Sequence, residues 1–325
     1  MRKILITGAA GFVGRRFVKY FLDSGDEVHA VDNLALLTGA IDPNIGWPLF
    51  NPLDYKNFIF YKIDCRDFFI QHKDTDFDYV LHLAAMVGGR EMIEKNPIAV
   101  ADDLSIDAEY WQWAKIAKPG KTICFSSSAA YPIKYQQAAG YRLLTEDMID
   151  FGRDIGMPDM SYGWAKLTCE YIAKLAYEKH GLKSVIYRPF SGYGEDQNNS
   201  YPFPSICKRV LQNIGASSIS VWGAGTQMRD FIHIDDCVRG VIETMESIDN
   251  AQAVNLSTGL FTSFIDFARL AAGIVGYTPE IKGMEIHPTG VFARGGDTTF
   301  QQELGFRPKI DFKDGILRAL NYYSN

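Results

Sequence analysis

Cysteine is scarce in this 325-residue chain: Cys65, Cys124, Cys169, Cys207 and Cys237 are scattered singly, with no C-x-x-C pair. An odd number of isolated thiols argues against a disulfide framework or a cysteine-based zinc site, and suits a reducing compartment. Long apolar runs are missing too. No stretch approaches the roughly 18 residues that a membrane-spanning helix needs. The opening MRKILITGAAGFVG superficially resembles a signal peptide, but its apolar run is only Ile4-Leu5-Ile6, and a glycine series breaks the chain directly after it. A secretory core needs roughly 7–15 apolar residues. The expectation is a cytoplasmic protein with no membrane partner.

A basic excess is also absent. Lysine and arginine together number 33 against 39 acidic residues, giving a net charge of −6. A nucleic-acid binder usually carries a basic face or tail, so no nucleic-acid partner is expected and an RNA-binding role is disfavoured. His29, His72, His82, His180, His233 and His287 show no metal-ligand spacing, so no metal is expected. No Gly-x-Ser-x-Gly elbow is present to support a hydrolase.

What the chain does have is apolar mass: 47% hydrophobic residues with 22% charged. That can bury a sizeable core, in one large domain or two intimate ones. Short β-branched runs recur at Lys3 to Thr7, Val28 to Val31, Phe58 to Ile63, Tyr79 to Leu83, Thr122 to Ser126 and Ser184 to Tyr187. Helical spacing fills several gaps between them, at Phe12 to Ser24, around 100–117 and around 162–180. Strands alternating with helices predict an α/β fold with a doubly wound parallel sheet. After Pro189 the pattern changes. Residues 191–205, rich in Gly, Asn, Ser and Pro, read as a long loop of the kind that carries substrate contacts. A second loop-like insertion runs over 132–160, and the last third suits a smaller lobe. The division expected is 1–190 for a dinucleotide-binding domain and 191–325 for a substrate lobe, with part of 226–260 folding back onto the first.

Between the first strand and first helix stands Gly8-x-x-Gly11-x-x-Gly14. Glycines there permit a tight turn, close approach of a pyrophosphate and a helix start packed on the sheet. The helix N-terminus then offers free N–H groups and a positive dipole end. Asp32 ends the next strand, 18 residues after Gly14, close to the roughly 20 expected for a carboxylate that binds an adenosine ribose. A carboxylate there repels a 2′-phosphate, which favours NAD over NADP. Arg15 and Arg16 could accommodate that phosphate, but as residues of the first helix they read more simply as solvated.

Tyr162 and Lys166 lie four residues apart, on one face of a helix. Alone, a Y-x-x-x-K spacing is commonplace in a chain with 17 tyrosines and reads as a solvated face. Ser126-Ser127-Ser128, however, closes a strand some thirty residues upstream, at the sheet edge where open α/β folds bind ligands. A phenol near pKa 10 is a poor base at neutral pH. A neighbouring ammonium and an oxidised nicotinamide would both lower it. A phenolate could then take a hydroxyl proton while a serine hydroxyl holds the oxygen that becomes a carbonyl.

Together these residues resemble the extended short-chain dehydrogenase/reductases, the NAD-dependent nucleotide-sugar epimerases and dehydratases. The marks are Thr7 to Gly14, Asp32-Asn33, Asp64, His82-Leu83-Ala84-Ala85, the serines, Tyr162 with Lys166, Arg188-Pro189-Phe190, and Arg229 to Asp236. The resemblance implies a Rossmann-type sheet with a smaller C-terminal α/β substrate lobe, and NAD as cofactor. It implies NAD contacts at Gly8, Gly11, Phe12, Val13, Gly14, Asp32, Asn33, Asp64, Cys65, Leu83, Ala84, Ala85, Tyr162, Lys166, Pro189 and Phe190. It also makes His233 to Asp236 a structural turn. Counting four positions back from Tyr131, as the family's pattern does, selects Ser127 as the catalytic serine beside Tyr162 and Lys166.

Met86 to Gly89, Tyr131-Pro132, Trp222 to Gln227, and Gly290 through Arg294 and Asp297 resemble GDP-mannose 3,5-epimerase and GDP-fucose synthase in particular. That implies a nucleotide-sugar substrate, a GDP-sugar favoured, met by Val87, Gly88, Ser127, Ser128, Tyr131, Ser191, Lys208, Arg229 and Arg294. Arginine forks suit phosphate oxygens. The chain also departs from those enzymes. Ala129 stands where the 3,5-epimerases place an acid/base cysteine, and Tyr201-Pro202-Phe203 where their partner His or Lys belongs. Ser128-Ala129 replaces the Asp-Glu pair of the 4,6-dehydratases. What remains is hydride transfer at C4: a C4 dehydrogenase releasing a keto-sugar of mannose or heptose type, its reverse as a reductase, or a 4-epimerase. A regulatory NAD-binding protein without chemistry is a rival from another class. The family habit also implies a homodimer or higher homo-oligomer, through the tyrosine helix and the stretch bearing Trp111 and Trp113, although those apolar residues read equally well as core.

Overall fold

A computed structural model describes residues 1–36, 38–86, 90–284 and 290–324. The first half alternates as the sequence predicts: β1 (Lys3–Thr7), α1 (Phe12–Asp23), β2 (Glu27–Asp32), β3 (Phe58–Lys62), α2 (Cys65–Gln71), β4 (Tyr79–His82), α3 (Arg90–Lys95), α4 (Ala101–Ala117), β5 (Lys121–Phe125), α5 (Met160–His180) and β6 (Ser184–Pro189). The remainder runs β7 (Ser191–Tyr193), α6 (Pro202–Gln212), β8 (Ser218–Trp222), β9 (Met228–Arg229), β10 (Phe231–His233), α7 (Ile234–Thr244), β11 (Asn250–Leu256), β12 (Thr262–Ser263), α8 (Phe264–Ile274), β13 (Glu280–Met284), β14 (Ala293–Arg294), α9 (Thr299–Glu303) and α10 (Phe312–Ser324).

Seven strands form the main sheet in the order β11-β6-β5-β4-β1-β2-β3. Every adjacent pair in it is parallel. A parallel sheet covered on both faces needs strands that are apolar on both sides. β1 complies: Ile4, Leu5 and Ile6 are all fully buried. On one face Ile4 and Ile6 meet Phe17, Phe21, Val238 and Val241 of α1 and α7. On the other, Leu5 packs with Phe68, Tyr110, Trp113 and Ala173 of α2, α4 and α5. Trp111 and Trp113 are therefore core residues of α4, and not the surface pair a dimer contact would use.

Strand order reverses between β1 and β4, so their carboxyl ends open a crevice at that point. Thr7 and His82 brace it: the Thr7 hydroxyl lies 2.9 Å from His82 Nδ1 and accepts from the Leu83 and Ala84 amides at 3.2 Å. A separate aromatic core, Phe203, Phe231 and Phe267 with Ile316, joins α6, α8 and α10 beyond the sheet. The stretch expected to be one long loop over 191–205 contains β7 and the first turn of α6. Pro202 sits where a proline is tolerated, in the first turn of a helix, so composition there disguised a helix start. The 132–160 insertion holds only short 3₁₀ turns, and it covers a small core of Ala130, Tyr131, Leu144, Leu167 and Phe190.

Candidate functional site

A cavity of about 610 Å³ runs from the crevice above β1 and β4 to the second lobe. Its inner wall is the glycine loop. Gly8 has φ +68°, and an added Cβ there would lie 2.9 Å from the Ala84 amide nitrogen. At Gly14 a Cβ would collide with the Gly8 carbonyl oxygen and the Ala9 backbone. α1 starts at Gly11 with no side-chain cap and no acidic residue in its first turn, which leaves a positive helix end toward the cavity. Asp32 stands at the end of β2, accepting from the Ala10 amide at 3.0 Å and the Leu34 amide at 2.8 Å. Burial raises its pKa, and those two amides oppose the rise. Asp64 caps α2 and is held low by the Arg66 guanidinium at 2.8 Å. Cys65 lies beside it, its thiol pushed up to about 12 by burial.

Gly8, Gly11, Phe12, Val13, Gly14, Asp32, Asn33, Asp64, Cys65, Leu83, Ala84, Ala85, Pro189 and Phe190 all line this one cavity. A backbone cradle that a Cβ would fill, an uncapped helix start and a carboxylate at the next strand end fit a dinucleotide. The two arginines beside the loop are not solvated, contrary to the expectation from their place on α1. Arg15 is 1% exposed and Arg16 8%, and both reach Asp196, at 2.8 and 2.5 Å. Arg15 also donates to the Ala10 carbonyl at 2.6 Å. With terminal guanidinium nitrogens of both held by Asp196, they are poorly placed to receive a 2′-phosphate, which agrees with Asp32 in favouring NAD.

Ser126, Ser127, Ser128 and Tyr162 line the middle of the cavity. Ser126 is committed elsewhere: its hydroxyl donates to the buried Glu170, which also pairs with Arg188 at 2.6 Å. Ser127 instead caps the short turn 128–130, accepts from the Ala129 amide at 3.1 Å and acts to lower the pKa of the Tyr162 phenol, with which it shares the cavity wall. Lys166 follows one turn later on α5, its ammonium 5.6 Å from the centre of the Tyr162 ring. Burial raises the Tyr162 pKa, the Lys166 charge lowers it, and Asp103 raises it again. Burial alone would discharge Lys166, but Asp103, Tyr162 and Asp107 hold its proton on, so its pKa lies above the ordinary value. A phenol and a hydroxyl thus share one point of the cavity wall with the Lys166 ammonium buried behind the phenol, off the wall where the resemblance expected an NAD contact, an arrangement suited to proton exchange with an alcohol.

Toward the second lobe the wall includes Ser191, Arg229 and Arg294. Arg229 donates to the Met228 and Val291 carbonyls at 2.7 and 3.1 Å. Arg294 reaches Gln136 at 2.6 Å and Asp159 at 2.7 Å, and Asp159 is the residue that precedes α5. Two expected substrate contacts do not reach the cavity. Tyr131 is fully buried, its phenol donating to Asn255 at 2.7 Å and accepting from Arg188 at 3.0 Å, because the insertion 132–160 closes over it. Lys208 lies over the Tyr323 ring at 4.8 Å, on the side of α6 that meets α10. Val87 and Gly88 lie outside the described residues. Sequence reasoning missed Thr38, Met86, Asp196, Asn198 and Tyr201 on the wall, and Asp103 behind it. The loop composition around 195–201 marked a contact region, but nothing local singled out these side chains.

Residues 4–257 match the family model described as the NAD dependent epimerase/dehydratase family. Among curated proteins the chain is 25% identical to a GDP-L-colitose synthase of Yersinia pseudotuberculosis, covering 99% of this chain and 98% of that one. It is 27% identical to a UDP-glucuronate 4-epimerase of Thermodesulfobacterium geofontis, over 98% and 95% of the two chains. Among solved structures it is similar to a UDP-glucuronic acid 4-epimerase from Bacillus cereus in complex with UDP-glucuronic acid and NAD. There the identity is 25%, the TM-score 0.82, and 99% of each chain is covered.

Proposed function

The chain belongs to the NAD-dependent epimerase/dehydratase family of extended short-chain dehydrogenase/reductases, an NAD-using family of enzymes, and from that premise we propose that it oxidises C4 of a nucleotide-linked sugar and releases a 4-keto sugar. The observation that carries the reading is Tyr162 and Ser127 together on the wall of a cavity whose inner end is the glycine cradle, with the Lys166 ammonium buried behind the Tyr162 ring. A GDP-sugar of mannose or heptose type is the substrate favoured, on the GDP-sugar-like stretches of the sequence and the similarity to a GDP-L-colitose synthase.

In this reading the glycine loop and Asp32 would hold NAD, which when bound would supply the hydride acceptor and a positive charge near the phenol. Tyr162 takes the C4 hydroxyl proton as phenolate, held by the Lys166 ammonium. Ser127 donates to the same oxygen as it becomes a carbonyl. Arg229 and Arg294 face the diphosphate, Arg294 exchanging its Asp159 partner for phosphate oxygens. Ser191 and Ser128 complete the sugar's surroundings. Ala129, buried within the turn 128–130, moves no proton, so neither epimerisation beside the ketone nor elimination of water follows the oxidation.

A second reading is supported by the likeness to two UDP-sugar 4-epimerases: the keto-sugar turns over in place and takes hydride back on its other face. The proton NMR spectrum of GDP-mannose mixed with near-stoichiometric enzyme and NAD separates the two. Loss of the H4 signal with reduced nicotinamide appearing supports net oxidation. Retention of H4 with the couplings of an inverted centre makes it a 4-epimerase, and an unchanged spectrum removes GDP-mannose as substrate.

Residues 1–190 are proposed as the NAD domain and 191–325 as the nucleotide-sugar lobe, with β11 returning to the main sheet. Further proposals are a cytoplasmic location and a homodimer through α4 and α5, whose exposed Leu104, Trp164 and Tyr171 leave apolar area on those helices.

A further inference from the structure

Behind Tyr162 and Lys166 lies a buried acidic pair that the proposed chemistry leaves unused. Asp103 and Asp107 sit one turn apart on α4, 1% and 3% exposed. One Asp103 oxygen accepts from the Met86 amide. The other has no hydrogen-bond partner among the described residues and lies 3.9 Å from the Lys166 ammonium. Asp107 places one oxygen 3.2 Å from His82 Nε2, at the end of β4, and its other oxygen is likewise without a hydrogen-bond partner among the described residues. Cys169 of α5 and Cys124 of β5 complete the surroundings, both buried with their thiols pushed up, first by burial and then by the Asp107 charge. The exposed Asp102 adds a further negative charge from the start of α4.

Burying a carboxylate without full hydrogen bonding is costly unless a cation compensates it. Among the described residues these two carboxylates share one ammonium and one imidazole, and the ammonium is the one that serves Tyr162 in the proposed chemistry. We propose that Asp103 is a positioning residue for the hydride-transfer chemistry: it tethers Lys166 behind Tyr162 and divides the Lys166 charge between the phenol and itself, and so sets the pH at which Tyr162 acts as base. The inference rests on Tyr162 being that base. Burial, the nearby Asp107 and Asp102 raise the Asp103 pKa while Lys166 and the Met86 amide lower it, and the net direction is upward.

Asp103→Asn tests it, because the amide keeps an oxygen for the Met86 amide while the charge and the acceptor that faces Lys166 are lost. Freed from Asp103, Lys166 acts wholly on Tyr162 and the phenol becomes more acidic. The ascending limb of kcat/KM against pH for sugar oxidation then moves to lower pH by roughly one unit, with NAD affinity within about threefold of the parent. Asp107→Asn moves it in the same direction by less, and carries the test if Asp103→Asn does not fold. A limb that stays in place in the folded variants overturns the proposal, whatever their activity. Tyr162→Phe, assayed alongside, separates the two levels. If it keeps turnover, the base assignment itself fails. If it is inactive while the Asp103→Asn limb is unmoved, only the role of Asp103 fails.

Discussion

At the scale of single residues, the proposed chemistry rests on Tyr162, Lys166 and Ser127. Tyr162→Phe removes the proposed base and nothing else from the cavity wall. Turnover is expected to fall about 10²–10⁴-fold, while NAD binding, read by calorimetry, stays near the parent value. Gly8→Ala acts on the other end of the site. At φ +68° with the Ala84 amide 2.9 Å from the new Cβ, the loop must shift. NAD affinity should fall at least tenfold while the sugar-diphosphate end is unaffected, a split that calorimetry with NAD and with GDP would show. Gly8, Asp32, Tyr162 and Lys166 were legible in the sequence because each belongs to a short motif with fixed offsets from a strand or helix. Asp103 was not. An aspartate on a helix carries no local sign that it will be buried against a lysine 63 positions later, and only tertiary packing of α4 on α5 reveals it.

At the scale of elements, the segment after β7 decides how the two lobes meet. Asp196 joins it to α1 through Arg15 and Arg16, over a separation of 181 residues for the first pair. Removing one partner of a buried ion pair leaves an uncompensated charge. Asp196→Ala should cost about 3 kcal/mol or more and lower the Tm by several degrees, measured by calorimetric scanning. Glu195, beside it, is held down at about 2: burial alone would raise it, but the His233 ring at 3.5 Å, its own backbone amide and the Arg16 charge outweigh that. A carboxylate depressed in the folded state contributes stability that is fully present above its ordinary pKa and is lost as pH falls toward 2. The urea midpoint should therefore drop between pH 5 and 2.5 in the parent, and Glu195→Gln should start lower and drop less. The same segment shows why sequence reading stopped short. Its Gly, Asn, Ser and Pro content reads as loop, yet Pro202 opens a helix and Ser191–Tyr193 pairs in parallel with β10. Tyr131 misled for the opposite reason: the insertion that buries it has no periodic signal of its own.

At the scale of the whole molecule, the parallel sheet and its reversal between β1 and β4 put the glycine loop, the serine turn and the arginines of the second lobe along one cavity. Strand alternation made that sheet readable in the first 190 residues, where the central strands β1, β4 and β5 are almost wholly buried. The second lobe was less readable, since its two- and three-residue strands are defined by pairing partners far along the chain. Oligomeric state belongs to this scale as well: a dimer through α4 and α5 predicts that Trp164→Glu, an exposed position on α5, halves the mass seen by light scattering. The most direct measurement tracks a hydrogen. GDP-mannose deuterated at C4 is incubated with NAD and a near-equal amount of enzyme, and the masses of nicotinamide and sugar are read together. Oxidation at C4 with release of the ketone predicts one deuterium gained by the nicotinamide for each lost by the sugar. Deuterium that stays wholly on C4, with no reduced nicotinamide formed, would contradict it.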